Sequence, residues 1–160
     1  MSAEERARAR DVLDLQEGSG PVAVLDEAAA LKALRQARRI MIVGASADPD
    51  RPSNSVMRYL MDHGYTCVPV NPNAAEVLGV PAWPTVEEAV AGTGPVDIVD
   101  VFRRSEHTPE VARSAVAVGA GTLWLQLGVV SWEAARIARE GGLQVVMDRC
   151  TAIDLRRSLG

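Results

Sequence analysis

The residues able to do chemistry in this chain gather in a few short segments. Gly44-Ala45-Ser46-Ala47-Asp48-Pro49-Asp50-Arg51-Pro52-Ser53 places a glycine, two hydroxyls and a guanidinium within ten positions. Gly44 lets an anion approach the backbone, Ser46 and Ser53 offer hydroxyls, and the amides opening a helix after Ser53 add partial positive charge. These features suit a phosphate-bearing nucleotide, although the loop alone reads equally well as a capped strand-to-helix turn. Further arginines stand in Phe102-Arg103-Arg104 and Asp148-Arg149-Cys150. Planar guanidinium groups chelate phosphates. Each could instead pair with Asp50, Glu106 or Asp148, but three loops bringing arginine to one edge favour an anion site.

Other residues suggest how the rest of a ligand would be met. Gln126 follows Leu123-Trp124-Leu125 and precedes Gly128, so its amide can bond an amide-bearing arm or satisfy loop backbone. Phe102 suits packing on an adenine or in a core, whereas Trp124 and Trp132 read as core residues. Cys67 reads as an inert core thiol. Cys150, next to Arg149 and before a helix, stands where positive charge and the helix dipole could favour a thiolate, but a structural role is the stronger reading because most cysteines are not reactive. His63 and His107 read as surface or capping residues. No Ser-His-Asp order, carboxylate pair or metal-ligand cluster stands out. The three-glycine dinucleotide fingerprint fails, Asn71 replaces the ribose-binding acid that follows a second strand, and no Gly-Lys-Ser or Gly-Lys-Thr occurs.

Positioning these segments requires repeated β-α units. Arg39–Gly44 reads as a buried strand, followed by a helix capped by Ser53 and ended at Gly64. Tyr65–Val70 is a second strand, with Pro69 near its carboxyl end. A weak strand at Val80–Trp83 leads to a helix opened by a Thr85/Glu88 capping box. Strands follow at Asp97–Phe102, Thr122–Leu125 and Leu143–Met147. Between them lie helices capped by Thr108 with Pro109 and by Ser131, ending at Gly119 and Gly141, and Thr151 with Asp154 caps a last helix. The expected fold is α/β: a doubly wound, mainly parallel sheet in three layers, α/β/α, with strand order 3-2-1-4-5-6. Ligands then bind beyond the strands' carboxyl ends, where the arginine loops lie. Residues 1–37, with mixed charge at Glu4, Glu5, Arg6, Arg8 and Arg10 and a break at Gly18-Ser19-Gly20-Pro21, read as a helical arm before a domain at 38–160.

Composition limits the alternatives. The chain has 160 residues, 48% of them apolar, and a formal charge of −4. It suits one ordinary domain with a real core. The acidic balance argues against a general nucleic-acid binder, and no apolar run is long enough for a membrane span or secretion signal, so a cytoplasmic protein is expected. Cysteines 83 positions apart and two scattered histidines fit neither a disulfide framework nor a metal centre. Sixteen of the 17 basic residues are arginine, which alone indicates no function.

The sequence resembles the small CoA-binding proteins with a Rossmann-like fold, related to the CoA-binding domains of succinyl-CoA synthetase α subunits and NDP-forming acyl-CoA synthetases. The likeness runs from about Arg39 to Leu155. It rests on Val43-Gly44-Ala45-Ser46, Arg51-Pro52-Ser53, Gly64-Tyr65, Val70-Asn71-Pro72, Val99-Asp100-Val101-Phe102-Arg103, Leu123-Trp124-Leu125-Gln126-Leu127-Gly128 and Val146-Met147-Asp148-Arg149-Cys150, in order and with matching spacing. The resemblance implies coenzyme A or an acyl-CoA as ligand. It would set Gly44, Ala45 and Ser46 along the phosphates, with Arg51 and Ser53 nearby. Asn71 and Pro72 would border the adenosine, Phe102 and Arg103 would close over the nucleotide, and Gln126 and Gly128 would border the pantetheine arm. The phosphohistidine domain of succinyl-CoA synthetase has no counterpart in this length, so ligase activity is not expected. The leading expectation is a non-catalytic carrier, sensor or regulator. Alternatives are a thiol-active protein forming a mixed disulfide with CoA through Cys150, and a module for NAD(P) or AMP-type ligands.

Overall fold

Residues 1–159 are described by the structure, a computed structural model. The helices are α1 (Ala3–Glu17), α2 (Glu27–Gln36), α3 (Pro52–Asp62), α4 (Val86–Thr93), α5 (Thr108–Ala117), α6 (Trp132–Glu140) and α7 (Thr151–Leu159). The strands are β1 (Arg39–Val43), β2 (Thr66–Val70), β3 (Glu76–Val77), β4 (Val80–Pro81), β5 (Ile98–Val101), β6 (Thr122–Leu125) and β7 (Gln144–Val146). Five strands form a parallel sheet in the order β2-β1-β5-β6-β7.

Alternation along the strands divides the core between two faces. Met41, Val43, Val99, Val101, Leu123 and Leu125 pack with residues of α4, α5 and α6. Ile40, Ile42, Cys67, Ile98, Trp124 and Val146 pack with residues of α2, α3 and α7. The sheet is therefore covered on both sides, giving the expected three layers. No helix among the described residues is long and apolar enough to cross a membrane.

The third strand departs from the expected order. Val80–Pro81 pairs antiparallel with Glu76–Val77, and only a single bridge, Val70 with Trp83, extends the sheet past β2. Trp83 N–H donates to Pro69 O at 3.0 Å, so Pro69 faces that outer edge, where it has no N–H to return. A continued ladder would lack a donor there.

Several hydroxyls expected as caps do other work. Arg51, not Ser53, occupies the N-cap of α3, with Pro52 as first helical residue and no side-chain cap. Thr108 lies inside α5, its hydroxyl donating to Ser105 O at 2.7 Å. Ser131 does cap α6, accepting from Ala134 N–H. Thr85 accepts from Glu88 N–H. Gly64, with φ 92°, ends α3: Tyr65 N–H reaches Leu60 O and Gly64 N–H reaches Met61 O.

Residues 1–37 divide in two. α2 buries Ala30 and Leu34 in the core, and Leu25 N–H donates to Val145 O at 2.8 Å. α1 has no buried residue and leans on the opposite face through Val12 and Leu15.

One carboxylate ties the amino edge of the sheet. Asp97 Oδ2 accepts from the Arg38 and Arg39 amides at 2.8 and 2.9 Å, while the Arg39 guanidinium donates to Pro95 O and Thr93 O. Asp97→Ala should lower the unfolding free energy by about 1–3 kcal/mol in urea denaturation. An unchanged midpoint would show that solvent satisfies those amides equally well.

Candidate functional site

The opposite, carboxyl edge of the sheet opens into a cleft of about 1030 Å³, at the upper end of the usual range for small-molecule sites. Its floor begins at Gly44. With φ 84°, a backbone conformation unfavourable to side chains, this residue lets the chain leave β1, and a Cβ there would lie 2.5 Å from Phe102 O. β1 and β5 can thus approach closely while their following loops part.

Two asparagines hold the loop after β1. Asn71 Nδ2 donates to Ala45 O at 2.7 Å, and Asn54 Nδ2 donates to Ser46 O at 2.9 Å. Asn71 Oδ1 accepts from Asn73 N–H, so the residue expected to border adenosine also braces the loop after β1. Ser46 Oγ accepts from Asp48 N–H. The α3 amino terminus, lacking a side-chain cap, opens on the cleft beside Ser53 and Arg51. On the other wall stand Phe102, Arg103 and Arg104. Arg51, Arg103 and Arg104 form no ion pair with any described residue.

Gly44, Ala45, Ser46, Arg51, Ser53, Asn71, Phe102, Arg103, Gln126, Gly128 and Cys150 all line this cleft. Pro72 lies instead in an adjoining hollow of about 450 Å³, which shares Gly44, Asn71 and Arg103 with it. The two spaces share these walls at the carboxyl ends of β1, β2 and β5.

Arg149 is elsewhere. Its guanidinium donates to both Asp154 oxygens at 2.7 and 2.8 Å and reaches Glu27 at 3.3 Å, and it lines neither space. Asp154, expected as a helix cap, is the acid that holds Arg149 away from the cleft. At Cys150 the surroundings favour the thiol over the thiolate that Arg149 and the helix dipole could have promoted. Burial pushes this half-buried thiol up, the Ile153 and Ala152 amides pull it down less, and Asp100 and Asp154 push it further up. Cys67 behaves as the expected inert thiol, pushed by burial up to about 12.

Three residues whose role the sequence pattern hid shape the site. Asp148, at φ 58°, takes the Gly128 amide on Oδ1 at 2.6 Å and fixes that loop. Asp100, fully buried in β5, accepts from Gln126 Nε2 and, at 2.9 Å, from the Thr151 hydroxyl. Thr151 in turn accepts from Gln126 Nε2 at 3.3 Å, so its hydroxyl is a core donor and not a cap. This arrangement anchors the Gln126 amide nitrogen and leaves its carbonyl oxygen, without a partner among the described residues, as the group available to the cleft. An aspartate interrupting Ile98-Val99-Asp100-Val101 was the available sequence signal. Burial raises its carboxyl from 3.8 to about 7, against the lowering effect of the Gln126 and Thr151 hydrogen bonds.

Comparison with known proteins gives the same organisation. A family model described as a CoA binding domain matches residues 38–156. An uncharacterized Bacillus subtilis protein, YneT, is 42% identical over 120 residues, covering 75% of this chain and 87% of its own. A hypothetical protein from Pyrococcus horikoshii OT3 superposes with TM-score 0.79 at 36% identity, over 85% of this chain and 94% of that one. The dinucleotide forming acetyl-coenzyme A synthetase 1 of Ca. Korarchaeum cryptofilum shares the fold at TM-score 0.60 and 23% identity, over 69% of this chain and 26% of the synthetase.

The buried acid has a pH signature. Below its unfolded value of 3.8 both states keep the proton and no ionisation penalty arises. As pH rises toward about 7 the unfolded chain loses that proton while the folded chain keeps it, so stability falls, then levels off. The slope approaches about 1.4 kcal/mol per pH unit. Asp100→Asn, which resembles the protonated acid, should gain stability relative to the parent between about pH 5 and pH 7.5, read by urea unfolding at each pH. A constant difference would contradict the buried, proton-retaining acid.

Proposed function

This chain belongs to the CoA binding domain family, and on that premise we propose that it is a cytoplasmic, non-catalytic protein that holds coenzyme A, free or acylated, in the cleft at the carboxyl edge of the sheet. The observation carrying this reading is the set of unpaired guanidinium groups of Arg51, Arg103 and Arg104 around one cleft in a chain of net charge −4. Coenzyme A supplies the missing anions as a diphosphate and a ribose phosphate. Its pantetheine arm carries two amides, and the outward-facing Gln126 oxygen suits an amide N–H.

The chemistry of each segment gives the ligand a direction. The Gly44 turn and uncapped α3 terminus favour the diphosphate. Asn71, Pro72 and the adjoining hollow suit the adenosine, with Phe102 able to pack on the base. Gln126 and Gly128 then border the arm, with Cys150 close to the same wall. The raised Cys150 thiol, a weak nucleophile near neutral pH, supports reversible binding over a mixed disulfide through that residue. Carrier, sensor and regulator all use such reversible binding.

Calorimetry should show saturable CoA binding. Arg51→Ala and Arg103→Ala should each weaken it about tenfold, the scale of one lost charge-assisted hydrogen bond. A hundredfold excess over Kd should also stabilise the protein by about 2.7 kcal/mol in thermal unfolding. No heat and no melting shift with excess CoA would overturn this reading.

A further inference from the structure

We infer that α1, outside the matched region at 38–156, is part of the ligand site: its Arg8 guanidinium joins Arg103 and Arg104 in binding a phosphate group of the ligand, and the bound phosphate holds α1 against the domain. The inference deepens the CoA reading and rests on it.

The first ground is position. Arg8 lines the same cleft as Arg103, Arg104 and Gln126, although about 95 positions of chain separate the first two. Asp11, Val12 and Leu15 lie three, four and seven residues beyond Arg8, so all belong to one helical face. That is the face by which α1 docks: Val12 and Leu15 pack on the core, and Trp132 Nε1–H donates to Asp11 O at 3.1 Å. Arg8 therefore belongs to the inward side of the helix and continues it over the cleft.

The second ground is charge. Among the described residues, α1 contains the ion pair Arg10–Asp14, whereas Arg8 has none. Arg51, Arg103 and Arg104 around the same space are likewise unpaired, and Glu106 is the acid among its lining residues. A backbone hydrogen bond and the nearby charges of His107, Arg104 and Arg8 hold the Glu106 carboxyl down, but this one acid stands among four guanidinium groups of the lining, so without a ligand anion docking α1 adds to an excess of positive charge. A phosphate reverses that sign, and its doubly ionised oxygens can accept from more than one guanidinium.

The third ground is the weakness of the docking itself. α1 has its own Ser2/Glu5 capping box and ends at Gly18, yet none of its residues is buried. An isolated helix of this length is marginal in water. Its tether is specific but small: beyond the Asp11 contact, Gly20 sits so close to the Trp132 ring that a Cβ would lie 2.0 Å from it. Such an element responds to a modest additional interaction.

The test uses the full chain and coenzyme A. Arg8→Ala should weaken CoA binding by about tenfold in calorimetry, with an unchanged melting point in the absence of ligand. Arg136→Ala, at an exposed pair with Glu140 away from the cleft, should leave affinity unchanged. In the parent protein, saturating CoA should slow tryptic cleavage after Arg6, Arg8 and Arg10 severalfold; in Arg8→Ala, saturated to the same degree, the protection at Arg6 and Arg10 should be lost. Parent protein that binds CoA, with Arg8→Ala affinity within twofold and cleavage rates indifferent to CoA, would overturn this inference alone. Absence of CoA binding by the parent would overturn the functional reading and this inference together.

Discussion

The geometry of the site depends on the close approach of β1 and β5 at their carboxyl ends. There the Phe102 carbonyl occupies the space that any side chain at residue 44 would need, and the backbone at Gly44 adopts φ 84°. Once the chain turns in this way, the loop after β1 runs toward α3 and the loop after β5 runs toward α5. The gap between them is the cleft. This is the switch point of a doubly wound sheet, formed because successive crossovers leave in opposite directions. Asn71 and Asn54 then lock the β1 loop by taking its carbonyls, which directs the loop's remaining polarity, and the α3 terminus, toward the opening.

Charge at the cleft is selected by pairing, not by number. Arg149 and Arg103 both follow core strands, yet Arg149 is held by Asp154 and Glu27, whereas Arg103 and Arg104 make no ion pair among the described residues. A pair formed within the protein also keeps the turn into α7 in place, where Thr151 reaches Asp100. The polar core beneath Gln126 is therefore continuous with the loops that border the cleft. Its cost is a buried acid that favours its proton; its consequence is a fixed glutamine side chain.

Much of the fold was legible because buried parallel strands read as short apolar runs between glycine and proline. Arg39–Val43, Ile98–Val101 and Thr122–Leu125 are found where those runs predict. The third strand was not legible, since Val80–Trp83 has strand-like composition and the lack of a donor at Pro69 acts only through tertiary pairing. Caps were ambiguous for a local reason: Ser53, Thr108 and Thr151 stand within a residue or two of helix starts, but a hydroxyl there can face the cleft, a turn or the core. Most expected site residues do line one cleft. Arg149 stands apart because its partner Asp154, five positions on, lies inside a helix, and the Cys150 thiol is raised because burial outweighs the helix amides. Arg8 was hidden by sequence distance: mixed charge along α1 resembles any solvated helix until its inward face is known.

Coenzyme A held in the cleft at the carboxyl edge of the sheet would perturb the backbone amides around it, which an NMR titration of the full chain with CoA reads residue by residue. Shifts should concentrate at residues 44–53, 71–73, 102–106 and 126–129 and at the start of α7, with the Asp97 edge of the sheet unmoved. Saturable shifts centred on another surface, or none at all at millimolar CoA, would contradict binding in this cleft.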